Sequence, residues 1–277
     1  MKRLFTIGLI IFFSIHPLKA LELIQPTGGR TNSLGKCSVA LSGFWSLHNN
    51  PAGFASYKNL SFGISYENKF LLKELSTKNT GVILPYKMGN IGISYSQFGY
   101  KNYNENILGL GIAKRLGQNL DIGIKLYYIF IKFSRNYNNK SAPTFDIGIQ
   151  YKINEALSLG TYIFNPICIK FKTLNKDKMP IIIRLGFSYL VNNDFLITGE
   201  IEENFVHNFS YRFGLEYEIY KELFIRSGFQ FKPDTFTFGI GYDYKYFMID
   251  ISAQMNQILG VSLSSSLIFK INKRNIN

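Results

Sequence analysis

From Tyr57 onward the chain alternates apolar and polar residues with a period of two, and it does so in long segments. Leu60, Phe62, Ile64 and Tyr66 alternate with Ser61, Gly63 and Ser65. Phe145, Ile147, Ile149 and Tyr151 alternate with Asp146, Gly148 and Gln150. Phe236, Phe238, Ile240 and Tyr242 alternate with Thr237, Gly239 and Gly241. Successive side chains of a β-strand point to opposite faces, so each segment reads as a strand with one apolar and one polar face. There are about 14 such segments, most of them ~9–12 residues long, the length a tilted strand needs to cross a bilayer. Strands of soluble sandwiches are nearer ~5–6 residues.

The connections point the same way. Tight turns at Met88-Gly89, Gly117-Gln118, Asn154-Glu155, Asn192-Asn193, Tyr220-Lys221 and Lys245 are interleaved with longer polar stretches at Glu67–Lys78, Ser134–Ala142, Pro166–Pro180, Glu203–Asn208 and Met255–Leu259. Lys232–Thr235 is short out of turn. Short periplasmic turns alternating with longer outer loops are the pattern of an outer-membrane barrel. If the N-terminal segment starts in the periplasm, the first loop is external, and it is a long one.

The polar face carries charges of both signs deep within strands, among them Lys125, Asp146 and Asp250, and most of the strand glycines. With the apolar face turned to lipid, these residues line the lumen. There we expect a charge network of Arg184, Glu200, Arg212, Glu216 and Arg226. Glu200 and Glu202 share the lumen face and are expected to pair with arginines of adjacent strands rather than to work as acid and base. Glycine on a lumen wall either lets another backbone come close or bends a strand at a barrel corner.

Composition narrows the function. Phe (25), Tyr (18) and Gly (24) against one Trp favour short strands and close turns. After residue 20 no run approaches the ~18 apolar residues of a transmembrane helix. The net charge is +13, without a Lys/Arg block or a nucleic-acid motif. The expected partners are therefore outer-membrane lipid and lipopolysaccharide, and not nucleic acid; Lys170, Lys172, Lys176 and Lys178 read first as a solvated external loop and second as a site for lipopolysaccharide phosphate. The histidines are His16, His48 and His207, and they cluster with no nucleophile or metal-ligand set. We expect no catalytic residues, no metal and no cofactor, with His48 a hydrogen-bond donor. Cys37 and Cys168 read as small buried thiols, and pairing between them stays open.

Residues 1–20 read as a secretory signal peptide: Lys2 and Arg3, an apolar run from Leu4 to Ile15, then a short stretch ending at Ala20. The expected organisation is signal peptide 1–20, N-terminal hatch or plug 21–57, barrel 58–271 and basic tail 272–277.

The stretch from Gly28 to Ala55 fits neither neighbour. It is rich in small and polar residues, lacks a clean period, and ends in Asn49-Asn50-Pro51-Ala52-Gly53. Asn50-Pro51-Ala52-Gly53, preceded by Gly29-Arg30, Leu34-Gly35 and Val39-Ala40-Leu41, resembles the N-terminus of the FadL superfamily of outer-membrane barrels. The closest pattern is that of the short PorV/PorQ-like members. The resemblance implies an all-β, antiparallel barrel of about 14 strands with an N-terminal hatch in the lumen. It implies a role in protein secretion and docking at the outer membrane, with secretion-machinery proteins as partners. The alternative is hatch-gated passive transport of small hydrophobic molecules such as fatty acids. The hatch is either a gate or a filler of the lumen. Its Asn49-Asn50-Pro51 kink is expected to touch lumen-facing strand residues such as Arg184, Arg212 or Arg226.

Overall fold

A computed structural model describes residues 24–134, 138–169, 171, 179–204 and 207–271. The signal peptide, the basic tail and the four lysines of the basic loop lie outside the described residues.

The described residues form fourteen antiparallel strands. They are β1 (Leu60–Asn68), β2 (Ser76–Leu84), β3 (Asn90–Tyr100), β4 (Tyr103–Leu116), β5 (Leu120–Phe133), β6 (Lys140–Lys152) and β7 (Leu157–Phe164), followed by β8 (Ile182–Asn192), β9 (Phe195–Asn204), β10 (His207–Tyr220), β11 (Leu223–Phe231), β12 (Thr235–Asp243), β13 (Phe247–Asn256) and β14 (Gly260–Ile271). Each strand pairs with its sequence neighbours, and β1 pairs with β14, Leu60 opposite Ile271, to close the barrel. Register shifts fall near strand ends, between Leu190 and Asn192, His207 and Ser210, and Glu218 and Tyr220. The sheet therefore has no free edge, and its backbone groups are satisfied within the wall.

The period-two pattern resolves into two surfaces. Phe62, Ile64, Leu126, Phe238 and Ile240 are exposed on the outside, while Ser61, Lys125, Asp146, Thr237 and Asp250 are buried within. An apolar exterior around a polar interior inverts a soluble barrel, whose apolar face fills the core.

Strand ends correct the expected loops. β2 begins at Ser76 rather than Asn79, β3 and β4 are separated only by 101–102, and the connections after β9 and β13 shrink to 205–206 and 257–259. The long–short asymmetry rests on 69–75, 134–139 and 165–181. The ladder is made by backbone groups, so pairing continues through polar residues such as Thr77, Asn204 and Asn256 after the apolar alternation has faded.

Residues 24–57 bond to β3, β5, β6, β7, β8, β9, β10, β12 and β14. Only a position inside the closed ring reaches so many strands. The segment joins β1 on the short-turn side, where Asn90 donates to the carbonyls of Phe54 and Tyr57 (both 2.7 Å). Ile24 packs near the opposite end with Ile131, Phe171 and Ile182. Within the segment lie α1 (Gly29–Ser33), α2 (Ser46–Asn49) and a 3₁₀ turn, Pro51–Phe54. Helices this short show no period in sequence and persist only where tertiary contacts hold them. Both cysteines are free: Cys37 is buried, but Cys168 is exposed, contrary to the expectation of two buried thiols, because it sits in the β7–β8 connection.

Candidate functional site: the segment inside the barrel

Asn50 is extended and accepts a hydrogen bond from the Ala52 N–H (3.1 Å), which makes it the N-cap of the 3₁₀ turn with Pro51 at the first position. Its amide nitrogen donates to the carbonyls of Val39 (2.6 Å) and Thr161 (3.3 Å). Asn49 clamps the chain upstream. Its oxygen accepts from the Thr27 N–H (2.9 Å), and its nitrogen donates to the Thr27 carbonyl (3.0 Å) and Thr31 Oγ1 (3.2 Å). Ala52 is fully buried. Gly53 has no positive φ; it is small because a Cβ there would lie 2.7 Å from Ser46 Cβ and 2.8 Å from the Leu41 carbonyl. The motif thus knits three parts of the segment into one body.

The kink meets lumen-facing strand residues at Gly123 and Gly148, and not at the three arginines. Arg184, Arg212 and Arg226 stand on β8, β10 and β11, whereas the Asn50–Ala52 turn lies on β5, β6 and β7. The ring nitrogens of His48, beside the backbone of Thr80 and Tyr95, form no well-made hydrogen bond, and the ring packs on Trp45 at 5.5 Å. Burial, and after it the Lys125 ammonium, pushes the His48 imidazole down to about 3, so it is neutral.

Wall glycines make the close approach possible. A Cβ on Gly123 would lie 2.5 Å from the Pro51 carbonyl carbon, one on Gly160 2.7 Å from the Ala40 nitrogen, and one on Gly148 would overlap Asn50 Oδ1. Gly214, Gly228 and Gly239 meet Leu34, Gly35 and Ser33 in the same way. The absence of side chains at these sites sets the distance between wall and segment.

The lumen charges form two clusters. In the first, Arg184 bonds Glu202 (2.5 Å) and lies 3.9 Å from Glu200, while Arg212 bonds Glu200 (2.6 Å) and Glu202 (2.9 Å). In the second, Arg226 bridges Glu216 (2.5 Å) and Asp250 (2.6 Å). Both reach the segment. Glu200 accepts from the backbone N–H groups of Ser38 (2.6 Å) and Val39 (2.7 Å). Glu216 accepts two bonds from Arg30 (2.8 and 2.7 Å), and Arg184 donates to the Ile24 carbonyl (2.7 Å). Buried ions are tolerable only when paired and hydrogen-bonded, and these are. Arg30 escaped selection from sequence. The signal was there: the network's wall residues hold the carboxylates Glu200, Glu202, Glu216 and Asp250 against three arginines, and the segment supplies the missing cation.

Lys125 reaches the Leu47 carbonyl, and the Asp146 carboxylate accepts from Tyr127 and from Tyr162 (2.9 Å). Cavities beside the segment are small: about 20 Å³ between His48, Asn79, Lys125 and Tyr162, and about 50 Å³ near Trp45 and Met248. They hold a water or a few waters. A larger cup of about 570 Å³, lined by Glu67, Glu202, Gln230, Gln254 and Ser262 among others, opens at the end of β9–β14 and β1 away from the junction of the segment with β1. An apolar groove of about 840 Å³, lined by Ile225, Phe238, Ile240, Ile249, Ile251 and Leu263 among others, lies on the lipid-facing side of the wall.

Neither a family model nor a curated relative matches the sequence. Solved structures match across the whole barrel. The toluene transporter TbuX of Ralstonia pickettii aligns over 90% of this chain and 99% of its own at 10% identity, with a TM-score of 0.70. The toluene transporter TodX of Pseudomonas putida gives 0.66 at 10% identity, covering 88% and 96%. A FadL homologue of Pseudomonas aeruginosa gives 0.61 at 10% identity, covering 89% and 98%. What is shared at such identity is the fold. That fold, with its lipid-facing belt, is that of a bacterial outer-membrane protein of FadL type, the location expected from the leader and the strand pattern. The finer likeness to PorV/PorQ-like barrels is not carried by these neighbours.

Proposed function

We propose that the chain is a passive, non-enzymatic outer-membrane channel for small hydrophobic molecules, with residues 24–57 as its hatch. One observation carries the reading: the apolar contacts of the segment that blocks the lumen are split into separate clusters, such as Phe44, Trp45, Leu47 and Phe54 on Ile83, Ala113 and Ile268, and between them it is held to the wall by polar bonds and ion pairs at Glu200, Glu216 and Gln150. Such bonds can be exchanged for water one at a time, whereas a packed core separates only as a whole. Support comes from the fold shared with two toluene transporters and a FadL homologue. Secretion docking, the first expectation from sequence, ranks behind it, since nothing in these neighbours favours it.

The test uses the natural Cys37, whose sulfur lies 3.8 Å from the Thr198 carbonyl. Thr198→Cys, once oxidised, ties hatch to wall. Toluene or octanoate uptake into proteoliposomes is expected to fall on oxidation and recover on reduction. Equal uptake by the tied and untied barrels would sink the gate and leave the segment a filler.

A further inference from the structure

The outside of the barrel differs from one side to the other at its outer end. On β10–β13 the lipid-facing positions there are Tyr211, Phe231, Phe236 and Met255, all exposed. On β2–β5 the corresponding outward positions are Lys78, Gln97, Asn104, Asn106 and Lys132. Strand alternation fixes their direction, since Asn79, Ser96, Glu105 and Ile131 beside them are buried in the lumen. The ladder brings them together. Lys78, Gln97 and Asn106 stand opposite one another across β2, β3 and β4, and Asn104 stands opposite Lys132 on β5.

Below this polar row the wall changes in steps. Two residues nearer the membrane centre, Tyr95, Leu108 and Tyr128 lie side by side; two residues further come Ile93, Leu110 and Leu126, all exposed. Exposed aromatics on a barrel mark the membrane–water interface, so the polar row stands at headgroup level and the aliphatic rows within the hydrocarbon. The amides are held in order. The Tyr95 hydroxyl donates to Asn106 Oδ1 (2.8 Å), and Asn106 Nδ2 donates to Asn104 Oδ1 (2.7 Å). Charge here is one-sided. The strand carboxylates Glu67 and Glu105 are turned inward and are 5% and 1% exposed. Outside, Lys73 and Lys101 in the adjoining connections join Lys78 and Lys132, with Glu74 the acid among them. Lys132 lies over the Phe130 ring at 5.5 Å, and neither it nor Lys78 pairs with a carboxylate among the described residues.

These rows select a partner. A cation at each end with amides between suits an anion at each end of a sugar. Lys78 and Lys132 are three strand spacings apart, about 14 Å at ~4.8 Å each, which is disaccharide scale. The aliphatic rows beneath offer a surface to acyl chains attached to that sugar. We propose that the outer face of β2–β5 docks a diphosphorylated, acylated disaccharide of the outer leaflet, the lipid A part of lipopolysaccharide. Lys78 and Lys132 take the two phosphates, Gln97, Asn104 and Asn106 face the sugars, and Ile93, Leu110 and Leu126 meet the chains. The site is on the lipid side of the wall and does not depend on the hatch opening.

Titration of the full-length barrel in neutral detergent with lipid A, followed by native mass spectrometry, tests it. One diphosphoryl lipid A is expected to bind, more tightly than the monophosphoryl form, and phosphatidylglycerol should not displace it. Lys78→Gln combined with Lys132→Gln should weaken binding roughly tenfold. Lys221→Gln combined with Lys245→Gln, exposed cations at the other end of the barrel, should leave it unchanged. All variants are compared as barrels that keep heat-modifiable gel migration. A second measurement needs no lysine change: in a Cys168→Ser background, lipid A should slow maleimide labelling of Gln97→Cys severalfold. Folded barrel indifferent to the loss of Lys78 and Lys132, equal weakening by the Lys221 and Lys245 pair, displacement by phosphatidylglycerol, or unslowed labelling at residue 97 would each overturn the proposal.

Discussion

The two walls of the lumen hold the same segment by different means. Across β5–β7 the Asn50–Ala52 turn and Val39–Ala40 lie directly on Gly123, Gly148 and Gly160, and the fit is set by missing side chains. Across β9–β13 the segment also lies on glycines, Gly214, Gly228 and Gly239, but there it is tied by ions as well: Glu200 to two backbone N–H groups, and Glu216 to Arg30, with Arg226 and Asp250 behind it. A steric seat determines where the segment sits. It resists displacement only by shape and does not respond to salt. An ionic latch can be weakened by a single neutralised partner, and where it nears solvent it is screened. The β5–β7 wall is therefore a seat, and the β9–β13 wall is a seat with a latch added.

The largest expected effect comes from cutting the latch where it is most buried. Glu200→Leu leaves Arg184 and Arg212 to share the one carboxylate Glu202 and strands two backbone donors, and breaking a buried pair costs about 3–5 kcal/mol. Thermal loss of the compact gel band should move down sharply, with earlier protease cleavage in residues 24–57. An unchanged midpoint would mean that the ions add nothing. Next comes the seat. Gly148→Val drives a branched side chain into Asn50 and Pro51, and overpacking costs about 1–3 kcal/mol. Here the shift should be the same at low and high salt; a salt-dependent shift would erase the distinction between the walls. Arg30→Ala removes the segment's own cation, whose side chain is 25% exposed, so solvent screening reduces the loss to about 1 kcal/mol. The readout is a salt-sensitive rise in leak conductance through planar bilayers, and no rise would place the gate elsewhere.

An effect that grows only as pH falls belongs to His48, which packs beside Thr80, Tyr95 and Lys125. Its folded-state value of about 3 lies below the ordinary 6.5. The unfolded chain therefore binds a proton first, and stability is lost as pH falls from about 6.5 towards 3. Over the first pH unit below 6.5 the loss is about 1 kcal/mol. His48→Phe should flatten that slope; a slope unchanged by the substitution would assign it to other groups.

Much of the barrel was legible because its signal is local. Alternation at Leu60–Tyr66 or Phe236–Tyr242 needs no partner to be recognised, and a two-residue period with a lipid-facing side is written into each strand. The charge network was legible for a related reason. Side chains of one face on neighbouring antiparallel strands are forced together, so Arg184 meets Glu202 and Arg212 meets Glu200 directly across the sheet. Strand ends were less legible, since backbone pairing runs on through polar residues.

The segment from Ile24 to Tyr57 is the opposite case. Its sequence determined that it is small, polar and kinked at Asn49-Asn50-Pro51, which is enough to say that it folds inside something. Which wall Asn50 faces, that Arg30 completes the carboxylate cluster, that Gly53 serves close packing rather than a turn, and that His48 makes no well-formed hydrogen bond were decided by the tertiary structure alone. Helices of five and four residues have no stability of their own. Their orientation is fixed only when fourteen strands have closed around them and brought Gly148, Glu200 and Glu216, far apart in the chain, to one interior.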